Sequence, residues 1–551
     1  MTSIDDLFKK PFLPSANGST KRKYDGQDAE AAYKSAKLDP SVEDAPKDDD
    51  EDIEAGPDLP PDEDEDEEGR FFGSGTNQHT NAALDFVDRA DDGTTDMKIE
   101  KIDQAWVRRL GLSFERKINK NSELRAKYES DPSRFVASEA DLDAEIKSLS
   151  ILSEHPELYK DFAKIGCAAS LVSLLSHENT DIAIDAIEIV SELLDDDVEA
   201  EQEQWDTLVA AMLEADLIDL LLANLDRLDE NLEADRSGVY HSLAVLESLS
   251  SNPTTADTIA QNPILTYLLT RISRPEKSVS QNKQYAAEVL QVLSQASPSV
   301  RDRLISLDAI DKLLTLLAAY RKRDPERDST EEEYAEDLFD TLTCLCSPPP
   351  GKTAFLAAEG TELMLLMLRE AKFSKPRALK VLDHALSGSS GQSVAEKLID
   401  AAGLKPLFST FAKKNLEAAD TEHIIGIFSA LLRLLPGESS HRIRLLAKFV
   451  EKEYEKLDKL VKLRHEYASK ASVEDDIDAG AAIYCLNTLD VVLAWLAAED
   501  GGARKRIVEG LRDRDEGLDT LKKSLQAQLE DVDTSEEGNV AEMLTALIEC
   551  L

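Results

Sequence analysis

A sequence phrase recurs along the middle of this chain with a period of about 46 residues, which indicates a repeat architecture rather than a row of independent domains. Each copy has a leucine-rich segment, a polar interruption and a longer segment of small and branched apolar residues. Four copies start at Leu171, Leu217, Ile264 and Ile310. Degenerate copies cover residues 362–386 and 404–435.

The apolar residues of each phrase follow the period of an α-helix. In one copy they are Ile182, Ala186, Ile189, Val190 and Leu193. Such a stripe cannot be buried by one helix, but stacked helix pairs can bury it. The period lies in the range of armadillo and HEAT units. The sequence therefore predicts an all-α, armadillo/HEAT-type right-handed superhelix, or α-solenoid, with long surfaces suited to binding other chains.

Composition changes along the chain divide it into four predicted segments. Residues 1–69 are poor in large apolar residues and end in the run PPDEDEDEEG, which predicts a disordered acidic tail. Residues 70–150 are predicted to form a connector and a helical cap. Armadillo-like repeats are predicted over 151–436, and further C-terminal helical repeats with a cap over 437–551, starting with a charged helix at 441–467. Prolines such as Pro298 and Pro348–Pro350 are predicted to mark helix boundaries.

The net charge of -47 disfavours broad contact with DNA, RNA or anionic lipid, so no direct nucleic-acid or membrane partner is expected. Apolar runs such as 363–368 are too short to cross a bilayer. Five cysteines, an odd number, favour a reducing compartment without disulfides. The N-terminal residues lack the features of a signal peptide. An intracellular protein is predicted.

No catalytic, cofactor-binding or metal-binding residue can be assigned from the sequence. The triplet Gly351-Lys352-Thr353 ends like a phosphate-binding loop, but Cys346 stands where that loop needs a glycine and no strand precedes it. Cys344 and Cys346 diverge on a helix, which favours buried thiols over a metal site. His384 lies among apolar residues and is predicted to be an interior histidine with a backbone partner.

Basic residues in the predicted tail form a candidate nuclear localisation signal of loose bipartite form, which an import receptor would bind. They are Lys21, Arg22, Lys23, Lys34 and Lys37. The alternative interpretation is a solvated charge cluster in a flexible tail. The adjoining acidic run is interpreted as a solubilising segment or an electrostatic attractor of basic partners.

Several phrases resemble one family more specifically than armadillo proteins in general. They are LSFERKINKNSELRAKYESDPSRFVASEADLD at 112–143, HENTDIAI at 177–184, NLDRLDE at 224–230, RALKVLDHAL at 377–386 and RIRLLAKF at 442–449. In this order they are similar to stretches of the beta-catenin-like protein 1 family, and the chain looks like a fungal-type member. The first block is the characteristic N-terminal region of that family. Before residue 70 the tail resembles the family only in having a Lys/Arg-rich signal and acidic runs.

The resemblance implies a non-catalytic scaffold in the nucleus that takes part in pre-mRNA splicing with the nineteen complex of the activated spliceosome. It also implies binding of basic segments of partners, including a Myb-domain splicing factor, and it leaves homodimer formation open. An alternative is an import adaptor-like binder of localisation signals outside splicing, but such adaptors carry a regular series of Trp and Asn. This chain has only Trp106, Trp205 and Trp495. A hidden enzyme or nucleotide-exchange regulator is the third hypothesis.

Overall fold

The computed structural model describes residues 101–472, 479–531 and 538–551. The described residues form helices and turns, with no strand among them, which confirms the predicted all-α fold. They divide into two compact units. The N-terminal unit contains residues 101–174 and 199–215, and the repeat unit contains the described residues of 175–198 and 216–551. The predicted tail and the first part of the connector lie outside the described residues.

The α-helices have the following bounds in chain order. The first nine are α1 Gln104–Lys127, α2 Val136–Ser148, α3 Tyr159–Lys164, α4 Cys167–Ser173, α5 Thr180–Leu193, α6 Gln202–Glu214, α7 Leu217–Arg227, α8 Glu233–Ser250 and α9 Pro253–Ile259. The next nine are α10 Asn262–Ser273, α11 Gln281–Ala296, α12 Pro298–Ser306, α13 Ala309–Leu317, α14 Thr330–Cys346, α15 Pro349–Ala357, α16 Gly360–Glu370, α17 Ser374–Leu386 and α18 Gln392–Asp400. The remaining ones are α19 Leu404–Phe411, α20 Ala418–Leu434, α21 Ser440–Val450, α22 Glu455–Ala471, α23 Ala479–Glu499, α24 Gly501–Arg512, α25 Leu518–Asp531 and α26 Gly538–Cys550.

The N-terminal unit contains α1–α4 and α6. The Asp103 side chain caps α1 by accepting hydrogen bonds from the backbone N–H groups of Ala105 and Trp106, at 3.0 and 3.1 Å. The sequence block at 112–143 forms most of α1, a short turn and the start of α2. These helices pack as a hairpin in which buried Asn121 Nδ2 donates to Ser138 Oγ at 3.1 Å.

Three helices recur in the repeat unit, whereas the sequence phrase showed only two. A short helix precedes each pair and often starts with a proline at its first turn, as in α9, α12 and α15. Proline is tolerated there because its missing N–H would have no partner in the first turn. The prolines do mark helix boundaries, but they begin helices that are too short to show a period in the sequence. The prediction of helix pairs was therefore wrong.

The third and longest helix of each repeat packs against the third helix of the next. Successive contacts join α5, α8, α11, α14, α17, α20 and α23. Leucines such as Leu246, Leu290, Leu342, Leu382 and Leu431 are fully buried between neighbouring helices. Burying one such side chain contributes about 1.5–3 kcal/mol, and the contribution repeats in each layer. We call this row of seven long helices the ladder and each of the helices a rung, counted from α5.

α23 corrects the expectation that no apolar run could cross a bilayer, since its stretch Gly480–Glu499 has the required length and composition. Most of its residues are nevertheless buried by protein. Asp490, in the middle of this helix, is 1% exposed and hydrogen-bonds to Arg464 of α22. Packing against α20, α22, α24 and α25 accounts for the apolar composition of α23.

The charged helix predicted at 441–467 is divided into α21 and α22. Between them Lys452, Glu453 and Tyr454 have positive φ angles of 56°, 56° and 70°. The turn is held because Tyr454 Oη donates to Asp500 Oδ1 at 3.0 Å and Lys456 Nζ donates to Glu451 Oε2 at 3.0 Å. A helical charge pattern alone did not indicate this break.

Candidate protein-interaction surface

The exposed side of the seven long helices is the candidate surface, which we call the ladder face. Its side chains are mostly polar and half-buried, and several reach from one rung to the next. Tyr285 of α11 donates a hydrogen bond from Oη to Glu247 Oε2 of α8, at 2.5 Å. Gln284 of α11 donates from Nε2 to Asp337 Oδ2 of α14, at 3.1 Å. Side-chain hydrogen bonds therefore join these three rungs.

The carboxylates of the middle rungs are paired with bases of the following rung. Glu336 of α14 pairs with Arg377 of α17, and Asp340 of α14 lies 2.7 Å from Lys380 Nζ. Farther along, Asp383 Oδ2 of α17 lies 3.0 Å from His423 Nδ1 of α20. The pairs with Arg377 and Lys380 cancel much of the local charge of α14.

α20 approaches α17 closely at Gly426. A Cβ atom at Gly426 would lie 2.5 Å from Oδ1 of Asp383, so a larger residue there would displace this carboxylate from its present position. The close approach helps to fix the position of Asp383 beside His423.

The first rung carries a stripe of four carboxylates. The stripe consists of Asp181, Asp185, Glu188 and Glu192, whose spacing of four, three and four residues places them on one side of α5. Opposite them on α8 lies His241. Burial lowers the pKa of His241, although Glu188 and Glu192 oppose this effect, so the imidazole adds little positive charge at neutral pH.

Aromatic rings extend from His241 toward the next rung. The half-buried ring of Tyr240 lies 5.0 Å from the ring of Tyr285 and 5.6 Å from that of His241, measured between centroids. Carboxylates beside an aromatic face suit the side chains of Lys and Arg, which combine ion pairing with cation–π contact. The first three rungs are therefore the part of the ladder face with the chemistry to hold basic side chains.

Lys352 of the Gly351-Lys352-Thr353 triplet has a structural role. It is 2% exposed, and its ammonium group donates to the carbonyl oxygens of His384 and Ala385, at 2.9 and 3.2 Å. A third bond at 3.1 Å reaches Ser387 Oγ. Lys352 thus caps the C-terminus of α17. The triplet lies at the start of α15 and forms no phosphate loop.

Ser347, Asp383 and His384 lie together but do not form a catalytic triad. The His384 Nδ1 atom is 3.2 Å from Ser347 Oγ, whereas the Asp383 carboxylate is paired with His423. The predicted backbone partner of the His384 ring is wrong, because the partner is the Ser347 side chain. Within the residues that the structure describes, no cluster of metal-ligating side chains occurs near Cys344 and Cys346. Burial raises the pKa of both thiols.

His384 is expected to make stability depend on pH. Burial lowers its pKa from 6.5 to about 4, with His423, Lys380 and Lys352 adding to the shift and Asp383 opposing it. The unfolded chain therefore takes up a proton first as the pH falls, and stability is lost between pH 6.5 and 4. Between pH 7 and 5 the loss from this group is about 2 kcal/mol.

The measurement is urea denaturation at both pH values for the native sequence and His384→Gln. The variant should lose about 2 kcal/mol less between pH 7 and 5 than the native sequence does. Parallel losses in the two proteins would contradict the assignment of this titration to His384.

A family model described as catenin-beta-like, Arm-motif containing nuclear, matches residues 81–526. The chain belongs to the catenin-beta-like family. The match spans both compact units and includes the whole of the ladder, from α5 to α23. It confirms the family resemblance seen in the sequence blocks, and it identifies the protein as a non-catalytic interaction scaffold.

Individual members of the catenin-beta-like family are also similar. The beta-catenin-like protein 1 homolog of Schizosaccharomyces pombe is 35% identical over 463 residues, covering 80% of this chain and 81% of that protein. Human beta-catenin-like protein 1 is 36% identical over 384 residues, or 68% of each chain. The rat protein shows the same identity and coverage.

Solved structures with related helical folds are more distant. A β-catenin structure, from work on a phosphorylation switch that controls its interaction with cadherin, has a TM-score of 0.46 and 12% identity. It covers 82% of this chain and 97% of that one. An engineered protein has a TM-score of 0.37 and 16% identity, covering 48% of this chain and 96% of its own.

The three tryptophans of this catenin-beta-like chain do not form a series along the ladder. Trp106 and Trp205 belong to the N-terminal unit. Trp495 of α23 stacks under the guanidinium of buried Arg442, at 4.7 Å from the ring centroid, and packs against the C-terminal helices. The features that an import adaptor uses to hold lysine stems are therefore not repeated on successive rungs of this family member.

The sequence-predicted site and the observed surface barely overlap. The localisation candidate Lys21, Arg22, Lys23, Lys34 and Lys37 lies outside the described residues and stays a prediction. The acidic stripe of α5 was not predicted, because carboxylates are so frequent in this chain that their pairs were given no weight. Its helical spacing on the side opposite the apolar stripe was the available signal.

Proposed function

We propose that this chain is a nuclear scaffold of pre-mRNA splicing, a component or associate of the nineteen complex in the activated spliceosome, whose ladder face binds basic segments of partner proteins. The resemblance to the family supports the splicing assignment, and the family's description as nuclear supports the location. The observation that carries the binding proposal is the carboxylate stripe of α5 beside the Tyr240 ring.

A bound segment would lie across the rungs in an extended conformation. Neighbouring helices pack about 8–10 Å apart, and an extended chain advances about 3.3 Å per residue, so roughly every third residue would meet a new rung. Basic side chains would meet Glu188 and Glu192 first and Glu247 on the following rung. The negative field would also speed association.

The proposed partners follow from this chemistry and from the family. They are spliceosomal proteins of the nineteen complex, including a Myb-domain splicing factor with a Lys/Arg-rich segment. An import receptor would bind the cluster at residues 21–23. Direct nucleic-acid or membrane contact is not proposed. Whether the chain forms a homodimer is a question for a measurement of its oligomeric state.

The binding proposal is tested by charge reversal on the first rung. A fluorescent peptide with five Lys or Arg residues should bind the double variant Glu188→Lys/Glu192→Lys about 10- to 100-fold more weakly than the native chain at low salt, measured by anisotropy. The matched control is Asp219→Lys/Asp226→Lys, which makes the same charge change at exposed positions of α7. Equal weakening in the two variants would show a general charge effect and no ladder site.

The splicing assignment is tested by affinity purification and mass spectrometry from nuclear extract. Nineteen-complex proteins should co-purify with the native chain and the α7 control, and should be depleted with the first-rung variant. Recovery of import cargo without splicing proteins would instead favour the import adaptor-like alternative, although the ladder lacks the tryptophan series of such adaptors.

A further inference from the structure

One part of the repeat unit departs from the acidic character of the chain. Residues 404–470 contain 13 Lys and Arg against nine Asp and Glu, whereas the whole chain has 63 against 110. Lysines from this stretch and from the start of α17 lie close together. We call this group the lysine patch, and it consists of Lys375, Lys413, Lys414, Lys459 and Lys462.

Hydrogen bonds join part of the patch, between α22 and the end of α19. Lys459 of α22 donates from Nζ to the carbonyl oxygen of Lys413 at 2.6 Å and to that of Phe411. Its ammonium also lies 4.9 Å from the centroid of the Phe411 ring. These contacts fix α22 against the exposed loop that follows α19, and this loop carries Lys413 and Lys414.

Lys375, in the first turn of α17, faces the same loop. Partial burial lowers its pKa, and the adjacent Lys413 ammonium lowers it further. A lysine in the first turn is also unfavourable with respect to the helix dipole. Two cations therefore lie side by side at a positive helix end, an arrangement that a bound anionic group would stabilise.

Carboxylates near the patch do not neutralise it by direct pairing. Asp420 lies near Lys375 and Lys413, with Glu417 beside it, and Glu466 lies near Lys459. Over residues 101–472, 479–531 and 538–551, however, no carboxylate oxygen lies within 4.0 Å of the five ammonium groups. Three acidic groups against five lysines leave the patch positive.

The chemistry of the patch fits an acidic peptide better than RNA. Proteins that bind single-stranded RNA usually offer exposed aromatic rings for base stacking. Here the neighbouring rings of Phe408 and Phe411 are 4% and 0% exposed. The Phe411 ring lies beneath Lys459 of the patch, and the Phe408 ring lies beneath Lys456, which is outside it. These rings offer little surface for stacking, whereas the exposed Lys413, Lys414 and Lys462 suit a dense run of carboxylates.

We propose that the lysine patch is the docking site for the acidic run of this chain at residues 62–68. That run has the sequence DEDEDEE and lies outside the described residues. About 32 residues connect it to residue 101, enough to span roughly 110 Å when extended. Tethering gives the run an effective concentration of about 1 mM, so a weak charge contact suffices. The otherwise acidic body repels the run elsewhere.

The test uses a zero-length carbodiimide cross-linker on the full chain at high dilution, with mass spectrometry to locate the amide bonds formed between carboxylates and lysines. Residues 62–68 should link to Lys375 and Lys459 at least about fivefold more often than to half-buried Lys522 or exposed Lys523 of α25. About 1 M NaCl should remove the preference. Lys413→Glu/Lys414→Glu should abolish the links to Lys375 and Lys459. The control Lys522→Glu/Lys523→Glu should leave them unchanged.

Three outcomes would overturn the proposal. The first is cross-linking of the run to all exposed lysines without preference. The second is linking only between chains in a mixture of 15N-labelled and unlabelled protein, which would make a second copy the source of the run. The third is binding of a labelled RNA oligonucleotide that is lost in Lys413→Glu/Lys414→Glu. This binding would also have to stay equally strong when the acidic residues of 62–68 are replaced by Asn and Gln.

Discussion

Replacing Asp490 by Ala is expected to lower the free energy of unfolding by about 3–5 kcal/mol. Asp490 Oδ1 accepts a hydrogen bond from Arg464 Nε at 2.6 Å, and the two residues are 1% and 3% exposed. Arg464 also pairs with Glu516, between α24 and α25. Removing Asp490 leaves a buried guanidinium without its buried counter-charge, and this cost is much larger than the net contribution of the pair.

An exposed ion pair in the same region provides the control. Arg506 of α24 and Asp458 of α22 pair through two bonds of 2.7 and 2.8 Å, but both side chains are close to half exposed. Asp458→Ala should cost only about 0–1 kcal/mol in the same urea denaturation experiment. The double variant Arg464→Met/Asp490→Leu should recover much of the loss of Asp490→Ala. Equal costs for Asp490→Ala and Asp458→Ala would contradict the role of burial.

Phe428→Ala is expected to destabilise the repeat unit by about 3–5 kcal/mol through the cavity that it leaves. Phe428 of α20 is fully buried, and its ring centroid lies 4.7 Å from that of Phe408, 5.3 Å from that of Phe411 and 5.1 Å from that of Phe449. This cluster joins α19, α20 and α21. Phe428→Leu, which removes less volume, should cost clearly less.

The location of the effect distinguishes a solenoid from a single cooperative core. Stability in a repeat protein is a sum over neighbouring layers, so amide hydrogen exchange should increase mainly in α18–α22 and much less in α8 and α11. Phe373, which is only partly buried, provides the control, and Phe373→Ala should cost less than Phe428→Ala. Amide exchange that rises uniformly along the repeat unit would contradict a stability that is a sum over neighbouring layers.

The repeat period and the apolar stripes predicted the all-α stacked fold, because a helix with one apolar side has few ways to bury it. The blocks at 112–143 and 377–386 likewise predicted the family. Short helices such as α12 and α15 were missed, because nine residues are too few to show a helical period. The prolines at their starts were interpreted only as boundaries between longer helices. The division of the charged segment into α21 and α22 depended on a turn whose contacts come from Asp500, far along the chain.

The candidate surface also depends on contacts between residues that are distant in the sequence. The acidic residues of α5 are visible in the sequence, although they were not predicted as a site. Their neighbour His241 is not visible there, because it reaches them only through the packing of α8 against α5. Lys352 and the lysine patch are further cases. Whether a lysine caps a helix, pairs with a carboxylate or stays unneutralised depends on partners about 32 to 46 positions away in the sequence.

By itself, then, the sequence determined that this chain must stack amphipathic helices, because local periodicity sets which side of each helix avoids water. Only the tertiary structure decided which charges face one another across the rungs, since those encounters join residues from successive repeats. The acidic first rung, the neutralised middle rungs and the lysine patch all have this origin. The energy of a charge depends on its distance from other charges and on its burial, and neither quantity is written in the order of residues.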